Sequence, residues 1–189
     1  MTPIIGILLA ANVLAYAALV LTQGGVDISA STIERWGGLA PLEVMDGALW
    51  RFVAAGFLHF SPIHIISNSI CLLAWGIPID RYLGPLRLLT IYIASIMAGS
   101  IASVALHTNN FISAGASGGT SGLLGAIMVL GLLRQMQLTA SFVLSNIGLN
   151  IAIAAFTVGI DWQAHLGGFL GGMLITALIA PRTDRNTTR

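Results

Sequence analysis

The chain has no lysine: all eight of its basic residues are arginines. That absence removes Ser-Lys dyads, Schiff-base chemistry and the phosphate-loop lysine together. A single cysteine, Cys71, excludes an internal disulfide and a multi-cysteine metal site. Charge of either sign is scarce, at 8% of residues, where a soluble domain carries roughly 25%. The net charge of +1 gives no sign of a nucleic-acid partner. Apolar residues fill the space: 56% of the 189 residues are hydrophobic and the mean hydropathy is +0.90.

Apolar runs of the length that crosses a bilayer, roughly 20 residues each, recur along almost the whole chain. They fall at about 3 to 22, 61 to 79, 85 to 106, 115 to 133, 140 to 158 and 162 to 180. The expectation is therefore one six-helix membrane unit over residues 1–189, with a short tail from about 181. The first residues enter an apolar run with no basic leader and no early small-residue cleavage site, so the run reads as a retained helix. An organelle membrane stays an open reading, although no Arg-rich, Ser-rich presequence precedes the run. The segment from Gln23 to about Phe60 holds Asp27, Glu34, Arg35, Glu43, Asp46 and Arg51 among Trp36, Trp50 and several leucines. It is amphipathic and is expected at the interface. The other connections are short.

Arginine placement sets the expected orientation, because basic residues near span ends are retained on the cytoplasmic side. Arg81, Arg87, Arg134, Arg182, Arg185 and Arg189 fall on one side, against Arg35 and Arg51 on the other. Both termini are then cytoplasmic, in a plasma or inner membrane. The first loop, the His107 loop and the Asp161 loop face outward. At this level a generic six-helix transporter or channel subunit remains an open reading.

Polar groups within spans cost several kcal/mol unless partnered, which makes each a candidate for function. His64 and Asn68 are four apart near the start of the second span and share a helix face. A packing pair would look the same. The fourth span begins Gly115-Ala116-Ser117-Gly118-Gly119-Thr120-Ser121-Gly122. Its glycines at 115 and 119, and at 118 and 122, form small-xxx-small faces that admit a neighbouring backbone. Packing explains those glycines without requiring the serine between them. The sixth span sets His165 beside a second such face, Gly168 and Gly172.

By depth, Ser117, His165, His64 and Asn68 belong to one layer near the outer surface. Two glycine-faced helices packed together bring a serine hydroxyl within reach of an imidazole, the arrangement that activates a nucleophile. His64 and Asn68 supply donors nearby for an oxyanion. Other intramembrane chemistries fare worse. No His-Glu-x-x-His run exists for a zinc protease, and Asp80 and Asp161 sit at opposite faces, which excludes an aspartyl pair. No acidic residue lies at the midplane, where ion-coupled transport usually places one.

These residues resemble the rhomboid family of intramembrane serine proteases. Trp50-Arg51 is similar to the family's Trp-Arg pair, and His59, His64 and Asn68 match its His-x4-His-x3-Asn pattern. Gly115-Ala116-Ser117-Gly118 matches Gly-x-Ser-Gly, and Ala164-His165-Leu166-Gly167-Gly168 matches Ala-His-x-Gly-Gly. The set runs in order from about Trp50 to Gly172. The resemblance implies an all-α bundle of six transmembrane helices with a membrane-embedded first loop. It implies Ser117 as nucleophile and His165 as general base, a dyad without an acidic third member. The Ser117 backbone N–H, His64 and Asn68 would hold the oxyanion, with no cofactor and no metal.

The resemblance implies further that the substrates are single-span or multi-span membrane proteins, cleaved near small residues close to the outer face. Trp50-Arg51 would shape the first loop. Asp80 stands where the family commonly has glutamate. A second Gly-x-Ser-Gly places Ser121 one turn deeper than Ser117, about 5.4 Å down the same helix; the register of the following Gly-Leu-Leu-Gly-Ala favours Ser117. The alternative reading is a non-catalytic relative that binds transmembrane helices. His107 reads as a loop histidine, and Asn146 and Asn150 as packing residues of the fifth span.

Overall fold

The computed structural model describes residues 3–107, 109–142, 144–146 and 160–181. Those residues are helical, with one isolated bridge between Leu39 and Ser113 and no strand among them. In chain order the elements are α1 (Pro3–Gln23), α2 (Ala30–Arg35), α3 (Pro41–Met45), α4 (Arg51–Ala54), a 3-10 turn (Ala55–Phe57), α5 (Pro62–Leu83), α6 (Pro85–Leu106), α7 (Ser117–Leu132) and α8 (Trp162–Ile179). Among the described residues α1, α5, α6 and α8 are long and apolar enough to cross a membrane, and α7 is a shorter apolar helix. The fifth expected span and Asn150 lie largely outside the described residues, as do Arg182, Arg185 and Arg189.

Local chemistry sets the helix starts. Pro62 and Pro85 occupy first-turn positions, where a missing N–H costs no helical bond, and Ser61 caps α5 by accepting the His64 N–H at 3.4 Å. Gly84, at φ +85°, lets the chain reverse between α5 and α6 with a single linking residue. Asp161 caps α8 through the Ala164 N–H at 2.9 Å.

The fourth span begins later than its apolar pattern suggests. Gly115 lies before the helix at φ +136°, and Ser117 is the first helical residue. Gly115 is therefore a corner rather than part of a packing stripe.

Small residues determine how closely α6, α7 and α8 approach. A Cβ on Gly168 would lie 2.2 Å from the Gly118 carbonyl oxygen, and one on Gly172 would lie 2.1 Å from that of Gly122. The 118/122 face of α7 thus meets the 168/172 face of α8 backbone to backbone. Gly119 turns instead to α6, where its Cβ would lie 2.6 Å from the Tyr92 ring. Below this layer a core of Ile5, Leu72, Ile79, Tyr92, Leu123 and Ile127 joins α1, α5, α6 and α7.

The amphipathic segment before α5 folds into three short helices and the 3-10 turn around buried Ile33, Leu39, Ala55 and Leu58. Arg51 staples it. Its guanidinium donates to the Glu34 carbonyl at 2.6 Å and the Gly38 carbonyl at 2.7 Å, pairs with Glu43 at 3.5 Å and lies over the Trp50 ring. This segment then grips the chain entering α7. Leu39 and Ser113 exchange both backbone hydrogen bonds, at 2.8 and 2.9 Å, and the Gly115 N–H donates to the Ala55 carbonyl at 2.9 Å.

Candidate active site

Four of the side chains singled out in the sequence line one cavity of about 600 Å³: His64 and Asn68 from α5, Ser117 from α7 and His165 from α8. Ser121 lines it too, one turn along α7 from Ser117. His59 is fully buried behind it, in the connection between the 3-10 turn and α5.

His64 is held by its own neighbourhood. Its Nδ1 accepts the Phe60 N–H at 3.5 Å, its ring stacks on Phe60, and His59 meets it edge-on at 5.0 Å. That leaves Nε2 facing Gly115, where a Cβ would lie 2.6 Å from it. The Asn68 amide donates to the His64 carbonyl at 3.1 Å and lies 3.8 Å from the same Cβ position. The missing side chain at residue 115 is therefore what allows the donors of α5 to stand against the entry to α7. Burial, reinforced by the neighbouring His64, pushes the His59 pKa down to about 3 and keeps that ring neutral.

Ser117 opens α7. The first bond of that helix runs from the Thr120 N–H to the Ala116 carbonyl, at 2.9 Å. The N–H groups of Ser117, Gly118 and Gly119 precede it and have no acceptor within the helix. Such a terminus favours negative charge. His165 stands one turn into α8, its N–H bonded to the Asp161 carbonyl at 3.2 Å. Ala164, beside it, rests its carbonyl against α6 and α7: Cβ atoms on Gly99 and Gly118 would lie 2.6 and 3.7 Å from that oxygen.

Sequence reasoning missed three residues around this cavity. Asp161 entered it only as a carboxylate too far from Asp80 to form a pair, and His107 only as a loop histidine. Both line the cavity. Ser103, fully buried near the end of α6, donates its hydroxyl to Asp161, and His107 Nδ1 lies 2.9 Å from the Ser103 carbonyl oxygen. An aspartate just before an apolar helix is a capping signal that could have marked Asp161. Nothing in the sequence links Ser103 to it across 58 residues. Among the described residues, no three His, Cys, Asp or Glu side chains gather as metal ligands would.

Comparison with known proteins gives a match to the rhomboid domain over residues 46–182. The chain is 32% identical over 157 residues to RHOMBOID-like protein 7 of Arabidopsis thaliana, covering 80% of this chain and 50% of that protein. It is 36% identical over 154 residues to RHOMBOID-like protein 6, mitochondrial, of the same plant, covering 78% and 49%. Rhomboid protease GluP of Bacillus subtilis (strain 168) is 28% identical over 166 residues, which is 84% of this chain and 32% of that protein. The chain thus spans about half the length, or less, of these curated relatives.

Proposed function

This chain belongs to the rhomboid family of integral membrane proteins, and on that premise we propose that it is a serine endopeptidase cutting transmembrane segments of other proteins. The observation that carries the reading is the convergence of Ser117, His165, His64 and Asn68 on one cavity. His165 takes the Ser117 proton as Oγ attacks the scissile carbonyl carbon. The resulting oxyanion is held by the Ser117 N–H at the start of α7, by His64 Nε2 and by the Asn68 amide. His165 then protonates the leaving amine. Water enters and attacks the acyl carbon while giving a proton to the same imidazole, which returns it to Ser117 Oγ as the ester bond breaks and the acid product leaves, so no cofactor is called for.

The further parts of the reading are six spans, with the fifth between α7 and α8, both termini cytoplasmic in a plasma or inner membrane, and a single unit over 1–189. The cavity then opens toward the outer face. The reading is of a Ser-His dyad without an acidic third member.

Cleavage of a single-span reporter by purified protein in detergent tests the assignment. Ser117→Ala and His165→Ala are expected to lower kcat by about 1,000-fold or more while the protein stays folded, and Ser121→Ala to keep most activity. Parent-level cleavage by Ser117→Ala would remove the serine from its role. Failure of the folded parent to cleave any of several reporters would leave binding of transmembrane helices as the function.

A further inference from the structure

The base proposed above stands in the first turn of its helix, the part of a helix held by the fewest internal bonds. Asp161 makes three hydrogen bonds at that turn. Asp161 Oδ1 accepts the Ala164 N–H at 2.9 Å, and its carbonyl oxygen accepts the His165 N–H at 3.2 Å. Its second carboxylate oxygen accepts the hydroxyl of Ser103, a fully buried residue on α6. One side chain therefore caps α8 and ties its outer end to α6.

The packing leaves this end of α8 little slack. The Ala164 carbonyl lies against Gly99 of α6 and Gly118 of α7, and a Cβ on Gly167 would meet Ala102 of α6 at 2.4 Å. A shift of the first turn large enough to break the tie to α6 would carry the adjoining His165 with it. Ser103 is supported in turn. His107 Nδ1 lies 3.4 Å from its hydroxyl, and the His107 ring stacks on Phe111 at 3.9 Å at the cavity wall.

We propose that Asp161 is a positioning residue of the site: through the cap on α8 and the tie to Ser103 it holds His165 at the depth where its imidazole meets Ser117. The proposal rests on the reading of Ser117 and His165 as the dyad. It assigns the work to hydrogen-bond geometry rather than to the charge of the carboxylate. An asparagine in its place would still cap through its amide oxygen. The amide nitrogen would donate to the Ser103 hydroxyl, reversing the direction of the tie without breaking it.

The test uses the full chain in detergent, with Asp161→Asn, Asp161→Ala, Ser103→Ala and the Ser117→Ala blank. Three quantities are measured: kcat and KM on the single-span reporter, the rate of covalent labelling by a fluorophosphonate, and the melting temperature. Labelling reads the reactivity of the serine without any substrate. Asp161→Ala is expected to lower kcat about 10- to 100-fold, the scale set by misplacement of a catalytic group by about 1 Å. Its labelling rate falls in parallel and its KM stays within about twofold. Asp161→Asn stays within about threefold of the parent on both rates, and Ser103→Ala falls between them.

Parent-like kcat and labelling in Asp161→Ala, whatever its melting temperature, would make the cap merely structural and overturn the proposal. Asp161→Asn as impaired as Asp161→Ala would overturn it in favour of the charge. If Asp161→Ala does not fold, Ser103→Ala decides, and parent-like rates there overturn the tie. Labelling of the Ser117→Ala blank at the parent rate is a separate failure: it would overturn the dyad itself, whatever the Asp161 variants do.

Discussion

His59 shows how a residue without a place in the cavity still shapes it. It is fully buried, meets His64 edge-on at 5.0 Å, and is held neutral because burial has lowered its pKa to about 3 from 6.5. The unfolded chain takes up that proton as the pH falls through 6.5, whereas the folded chain refuses it until about 3. Between those values the unfolded state binds more protons, so stability falls as the pH falls. One such group contributes a slope of up to about 1.4 kcal/mol per pH unit. Unfolding of the detergent-solubilised protein across that window is expected to show the slope, and His59→Gln to be flatter than the parent by about that amount. Equal slopes would mean that His59 does not titrate in this way. The motif placed His59 beside His64 in the chain; its burial behind that ring follows only from the way the 3-10 turn folds back before α5.

Between elements, what matters is how close two backbones come. The glycines at 118, 122, 168 and 172 were legible as packing faces, because spacing of four on a helix is a local property. Which face meets which was not. The α7–α8 contact pairs Gly168 with Gly118 and Gly172 with Gly122, in each case against a carbonyl oxygen. Backbone cannot step aside as a side chain can. Gly172→Ala is therefore expected to lower stability by about 1–3 kcal/mol, the usual cost of overpacking, and to reduce cleavage by separating Ser117 from His165. Gly6→Ala on α1 is the control: a Cβ there meets nothing within 4 Å. It should be neutral, or stabilising by up to about 1 kcal/mol through better helix propensity. Thermal unfolding of both variants beside the parent checks the pair, and equal melting temperatures would mean that the close approach is not needed.

For the whole molecule, the number of spans decides which face the cavity opens to. The proposed six spans would put both termini on one side, and the excess of arginine at Arg81, Arg87, Arg134 and the C-terminal tail would place that side in the cytoplasm. Reporter domains fused to the N- and C-terminus in a bacterial host are both expected to give cytoplasmic signals. Opposite signals would mean that the stretch between α7 and α8 does not cross, and that the proposed outward-facing site needs a different topology.

Hydropathy and residue spacing alone determined that this is an integral membrane protein, where α1, α5, α6 and α8 run to within a few residues, and that Ser117, His165, His64 and Asn68 share one layer, where they line a common cavity. Those properties depend on short stretches of chain: transfer of an apolar segment into lipid, or two residues one turn apart on a helix. The start of α7 was misplaced by two residues because apolar pattern does not register a glycine at φ +136°. Three features arise only once the helices are packed. The first connection pins the entry to α7 through Leu39, Ser113 and Ala55; Gly115 makes room for His64; and Asp161 is joined to Ser103. Each joins residues tens of positions apart, and their partners are chosen by how the helices pack rather than by any pattern along the chain.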